Sequence, residues 1–164
     1  MNAKELLLSL DACHEAIMFA EGKTIKQAWE ECPRGDWMLW FYKKQFPGDI
    51  RKLTLAKAYC ANTVRGLMHD ERSRYAIDVA IKFGYGFATP GKLKESAKAA
   101  SAAADAAAYA DAAASAHAAA HAAAYDAAHA AAHAAAYAAA KKQNQLLTAD
   151  ICRQFLDISS IYEI

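Results

Sequence analysis

Two pairs of histidines stand four residues apart, His117/His121 and His129/His133. On an α-helix that spacing puts two imidazoles on one face, as a metal site requires. The pairs lie about 18 Å apart along a helix axis and roughly 120° apart around it. One straight helix therefore cannot bring all four to a single ion. No glutamate stands between the histidines to act as a base and no third ligand accompanies them, so neither a metal nor a cofactor is expected. The rings read as spacers between packed helices. Among them Tyr109, His117, His121 and Tyr125 are candidates to line a pocket, where neutral His and Tyr give hydrogen bonds and stacking faces without fixed charge.

The segment from Glu31 to Lys44 is densest in groups that recognise ligands. Trp37 and Trp40 are spaced i, i+3 and could stack on a ligand ring, with Lys43, Lys44, Arg51 and Lys52 as phosphate partners. The competing reading makes the tryptophans core anchors of one helix. Arg65, Arg72 and Arg74, with Tyr75, form a second candidate anion site, against a reading as solvated surface charge. Between Lys43 and Arg74 there are eight basic residues and three acidic ones, a local excess that could attract an anion. Catalytic sets are missing: there is no Gly-rich phosphate loop, no GxSxG and no HExxH. Cys13 and His14 are adjacent and so diverge by about 100° on a helix, poor geometry for a nucleophile and its base. A binding protein, not an enzyme, is expected.

The elements that must hold these residues all read as helices, with no alternating strand pattern. Leu6, Leu10, Cys13 and Ile17 recur at helical spacing, which predicts a first helix from about Ala3 to Glu21, closed by Gly22. Thr24 with Gln27 makes a capping box for a second helix to Cys32. Asp36 is expected to cap a third, ending before Pro47-Gly48, and Asp49 a fourth with Leu53, Ala56, Cys60, Val64 and Leu67 as its apolar stripe. Asp70 caps a fifth with Ala76, Ile77, Ala80 and Ile81 inward, ending near Gly84 or Gly86. Thr89-Pro90 then starts the longest helix.

Thirty of the forty-two residues from Ala99 to Ala140 are alanine, the strongest helix former. Larger side chains from Asp105 to Lys141 fall on a four-residue beat. A step of four overshoots a turn by roughly 40°, so the series winds around the helix instead of lining one face. A continuous helix from Thr89 to Lys142 would run on the order of 80 Å, about twice the width of a compact chain of this size. The tract must protrude, be shared across a homo-oligomer, kink or fold back. Capping side chains at Asp111 to Ser115 or at Tyr125-Asp126 are candidate break points. Asn144 is expected to loosen the helix and Thr148 to restart a final one. The expected fold is thus an all-α bundle forming one domain, residues 1–164. It divides into N-terminal helices (1–88), a long alanine-rich central helix (89–142) and a C-terminal helix (148–160).

The 164 residues suffice for a real core, and a net charge of +1 argues against general nucleic-acid binding. The charge is uneven, with sixteen Lys/Arg against twelve Asp/Glu in residues 1–98 and three acids without a base in the alanine tract. Four widely spaced cysteines without a CxxC pair point to free thiols. The acidic amphipathic start does not fit a signal peptide, and no run is apolar enough to span a membrane. A cytoplasmic protein with no membrane partner is expected.

The chain resembles the alanine-rich immunity-protein family of bacteriophage genomes and bacterial toxin–immunity loci. The resemblance rests on Asp11-Ala-Cys13, on Ala28-Trp29 through Gly35-Asp36-Trp37-Met-Leu-Trp40, and on Arg51-Lys-Leu-Thr-Leu-Ala with Cys60 and Val64. It continues through Arg74-Tyr75-Ala-Ile-Asp78, the alanine tract and Ala149-Asp150-Ile151-Cys-Arg153. It implies a non-enzymatic, neutralising role in a bacterial host cell. The first expectation is sequestration of a small anionic, nucleotide-derived immune signal. The alternative is a helical surface that binds and inhibits a protein toxin or effector.

Overall fold

Amphipathic runs punctuated by glycine, proline and capping side chains give this chain its helices. In a computed structural model of the protein, residues 1–68, 70–102 and 127–162 are described, with side chains over 1–68, 70–102 and 139–162. The fold is all-α, with no strand among the described residues. In chain order the helices are α1 (Ala3–Ser9), α2 (His14–Phe19), α3 (Ile25–Glu31), α4 (Gly35–Gln45), α5 (Ile50–Asn62) and α6 (Glu71–Gly84). A helical stretch over residues 90–102 is α7, and α8 spans Ala127–Phe155. Short 3₁₀ turns follow α5 at Arg65–Leu67 and α8 at Ser159–Ile161. No helix among the described residues is long and apolar enough to cross a membrane.

Most helix starts follow the capping side chains. The capping box of Thr24 and Gln27 opens α3, the Asp49 carboxylate accepts the Lys52 N–H at the start of α5, and Asp70 does the same for Arg72 at α6. The Thr89 hydroxyl accepts the Lys92 N–H at 3.2 Å ahead of α7. Asp36 departs from expectation. It lies inside the first turn of α4, and its carboxylate takes the Arg34 guanidinium in a bidentate pair of 2.8 and 2.6 Å. A charged fork two residues away outbids the backbone N–H groups for those oxygens.

The expected first helix is two. After α1 the chain closes a Schellman motif: the Ala12 N–H reaches Leu7 O and the Asp11 N–H reaches Leu8 O, with Asp11 in the left-handed region at φ 55°. Aspartate tolerates that conformation better than most side chains. The break turns Cys13 out to solvent, where the helical spacing predicted an inward position. Leu67, expected on the apolar stripe of the fourth helix, is exposed because α5 ends at Asn62 and the 3₁₀ turn redirects the chain.

The expected break before Thr148 is absent, and α8 runs through it to Phe155. Asn144 does not loosen the helix because its amide has a tertiary use, donating to the Thr63 hydroxyl at 2.9 Å, while that hydroxyl donates to Cys60 O. A long alanine-rich central helix is not shown. The described side chains of the alanine tract's end, residues 139–143, are exposed, whereas Ala149 and Cys152 near the end of α8 are buried. The stretch where the tract would kink or fold back lies outside the described residues.

Packing centres on α5, which meets α6 on one side and α4 and α8 on others. Two glycines allow close approach. A Cβ on Gly35 would sit 2.5 Å from Thr148 Oγ1 and 2.6 Å from the Thr148 carbonyl carbon, and one on Gly84 would sit 2.6 Å from Leu55 Cβ. The core joins both ends of the chain: Leu6, Ile25, Trp29, Met38, Phe41 and Tyr42 pack with Cys152, Leu156, Ile158 and Ile161.

Candidate functional site

Because α1 and α2 are separate helices, they can stand apart from α3 and α4 and leave a space between them. That space is a half-enclosed cavity of about 470 Å³, within the size range of small-molecule sites. Its walls are mostly apolar. Leu6 and Leu7 come from α1, Ala16 and Phe19 from α2, Trp29 from α3, and Trp37, Met38, Trp40 and Phe41 from α4, with Ile158 from the C-terminal segment at the base. Three tryptophans and two phenylalanines therefore share one cavity. Their rings are already in register with one another: Phe19 lies 6.2 Å from Trp37, and Trp29 lies 6.2 Å from Phe41, both tilted.

The polar groups of the cavity are few and mostly acidic. Asp11 and Asp36 both line it. The Arg34 guanidinium holds Asp36 below the usual carboxylate range, and is itself held protonated by that carboxylate. Arg34 also stands over the Trp37 ring at 4.6 Å and 3.8 Å from Glu15. Asp11 is exposed, and its carboxylate has no partner among the described residues. Two thiols complete the lining. Cys13 is exposed at the N-cap of α2, while Cys32 is buried, donates to Arg34 O at 3.5 Å and has its thiol pKa pushed up by burial.

Of the residues singled out in the sequence, Trp37 and Trp40 are brought together in this cavity. They combine the two readings, being half-buried core anchors that also face the space. None of the basic candidates lines it, although Lys44 stands over the Trp40 ring at 5.6 Å. Lys43 is exposed in the last turn of α4. Arg51 donates to Phe83 O at 2.6 Å and covers the Phe83 ring at 4.7 Å, tying α5 to the end of α6. Arg65 forms a bidentate pair with Asp78 at 2.6 and 3.0 Å. Arg72 is held by Asp70 at 2.7 Å, and Arg74 by Glu71 at 2.7 Å and by Met68 O at 2.9 Å. Each of these four guanidiniums thus has an acceptor within the fold. Tyr109, His117, His121 and Tyr125 lie outside the described residues. His129 and His133 belong to α8.

Sequence reasoning missed the half of the cavity built by α1 and α2. Phe19 carries no motif, Asp11 and Cys13 entered only through the resemblance and the Cys13-His14 pair, and the unbroken helical spacing of Leu6, Leu10, Cys13 and Ile17 concealed the turn that exposes Asp11 and Cys13. Comparison with protein families, with curated proteins and with solved structures finds no match to this chain.

Proposed function

We propose that this protein acts by binding and not by catalysis, sequestering a small ring-bearing ligand in the cavity between α1–α2 and α3–α4, as a counter-defence or immunity protein would. The observation that carries the reading is the cavity's lining, an aromatic and aliphatic wall with a carboxylate, Asp11, that has no partner among the described residues. A nucleobase meets that chemistry. Its faces pack against Trp37 and Trp40, and a ring N–H or amino group donates to the Asp11 carboxylate. Phosphates find only Lys44, beside the Trp40 ring, because Arg51, Arg65, Arg72 and Arg74 are engaged elsewhere and Arg34 is already paired. Within the nucleotide-derived class, this favours bases and nucleosides over polyphosphates. Inhibition of a protein toxin is the second reading, favoured by the same apolar wall, which would also seat a leucine or phenylalanine side chain of a partner. The proposal includes self-association through α8, where Leu146 and Leu147 are half exposed beside residues 139–143.

Calorimetry and tryptophan fluorescence against bases, nucleosides, cyclic dinucleotides and indole test the small-ligand reading. A nucleobase or nucleoside is expected to bind and perturb the fluorescence. Trp37→Ala is expected to weaken that binding roughly tenfold or more, given the size of base–aromatic stacking. Asp11→Asn should weaken ring N–H donors more than indole-free hydrocarbons of the same size. No binding by any of these compounds at millimolar concentration, together with a host protein whose toxicity the chain relieves, would replace this reading with the second.

A further inference from the structure

Outside the cavity, two thiols meet where α4, α5 and α8 converge. Cys60 stands in the last turn of α5, and its thiol lies 3.8 Å from Thr148 O. Cys152 lies one helical turn beyond Thr148 on α8. A helical side chain leans back over the turn N-terminal to its own Cα, so the Cys152 sulfur is carried over the turn that Cys60 touches. It also donates to Gly35 O at 3.5 Å. The neighbouring Cys152 thiol lowers the pKa of Cys60, while Cys60 and, after it, burial raise that of Cys152. Their exposure differs in the same sense: Cys60 is partly open to solvent and Cys152 is fully buried. This is the arrangement of an attacking thiol beside a resolving one.

We propose that Cys60 and Cys152 form a reversible disulfide on exposure to hydrogen peroxide, stapling the end of α5 to α8. The Cys60 thiol gives up its proton and the thiolate attacks one oxygen of hydrogen peroxide; the O–O bond breaks, an S–OH forms, and the departing hydroxide takes up that proton as water. The Cys152 sulfur then attacks the Cys60 sulfur; the S–O bond breaks and the departing hydroxide takes the Cys152 thiol proton as water. Two thiols are oxidised and one peroxide is reduced to two waters. Cys32 is a poorer attacking thiol than Cys60, since it is buried and burial pushes its pKa up. The staple closes a loop of roughly 90 residues that contains α6, α7 and the alanine tract, a long loop of the kind whose closure restricts the unfolded chain most.

The test uses the full chain carrying Cys13→Ser, which removes the exposed thiol. The protein is treated with hydrogen peroxide, unfolded with an alkylating agent and mapped by mass spectrometry without reduction. The expected result is a Cys60–Cys152 linked peptide and a rise in Tm on the order of 10 °C, both reversed by dithiothreitol. Cys60→Ser, at a partly exposed position, should lose both the link and the shift. In Cys152→Ala, a sulfenic-acid trap should label Cys60. Recovery of Cys60 and Cys152 as alkylated thiols or as sulfinic acids, or a Cys32–Cys152 link in their place, overturns the proposal.

Discussion

Single residues in this protein hold two jobs at once, and Asp49 is the clearest case. One carboxylate oxygen accepts the Lys52 N–H and starts α5; the other accepts the Tyr42 hydroxyl at 2.8 Å from the core side. Tyr42 is only 1% exposed, and burial together with the carboxylate pushes its phenol pKa up. Asp49→Ala therefore removes a cap, worth about 1 kcal/mol, and leaves a buried hydroxyl unpaired, costing about 1–3 kcal/mol. Chemical denaturation is expected to show a loss of about 2–4 kcal/mol, and Tyr42→Phe in the same background should recover part of it. A loss under 1 kcal/mol would mean the hydroxyl finds water. Carboxylates paired with arginine set the acid limit. Asp70 is held at about 2 by Arg72, and Asp36 and Asp78 are lowered by Arg34 and Arg65. A depressed folded pKa gives stability that is present above the unfolded value of 3.8 and lost as pH falls through the folded one. Thermal melts should hold level from neutrality to about pH 4 and decline from there toward pH 2, and a decline that begins above pH 5 would require a different group. The capping aspartates and Thr24 were legible in the chain because a cap depends on three or four neighbouring residues. Asp36 was not, because its partner Arg34 matches it better than the backbone does.

At the scale of elements, contact between α4 and α8 depends on a missing side chain. Gly35 opens α4 directly against Thr148, and the atoms a Cβ would meet include backbone, which cannot rotate away. Gly35→Ala gains at most about 1 kcal/mol of helix propensity, less at a first-turn position. The overpacking costs about 1–3 kcal/mol, so the net effect should be a fall in Tm. Unchanged stability in a melt would show that α4 and α8 can slide apart. The same junction holds Cys60 and Cys152, so a separation there should also slow their oxidation. The path of α8 itself was misread from the sequence. Asn144 and Thr148 have low helix propensity, but Asn144 is bonded to Thr63 across to α5 and Thr148 back-bonds to Gln145 O within its own helix. Tertiary contact overrode a weak local preference. The break after α1 was missed for the opposite reason. Apolar spacing there continues through the turn, and only the left-handed backbone at Asp11 marks it.

For the whole molecule, both chain ends meet in one core. Leu156, Ile158 and Ile161 close over helices α1 to α4, and Ile158 forms part of the cavity wall. If α8 mediates self-association, light scattering will give a mass at least twice the chain's 17.7 kDa, and a strict monomer at high concentration removes that part of the proposal. The sequence by itself determined that this chain is all-helical and where most of its helices begin. Alanine content, apolar spacing and capping side chains act over a few residues, and no neighbour in space is needed to decide them. It also singled out Trp37 and Trp40. Only the tertiary structure decided that these rings share a cavity with Asp11, Cys13 and Phe19, that the arginines are spent on Asp78, Asp70, Glu71 and backbone carbonyls, and that Cys60 meets Cys152. Those pairings join positions far apart along the chain, and their partners are chosen by the packing of helices against one another, which no local pattern records.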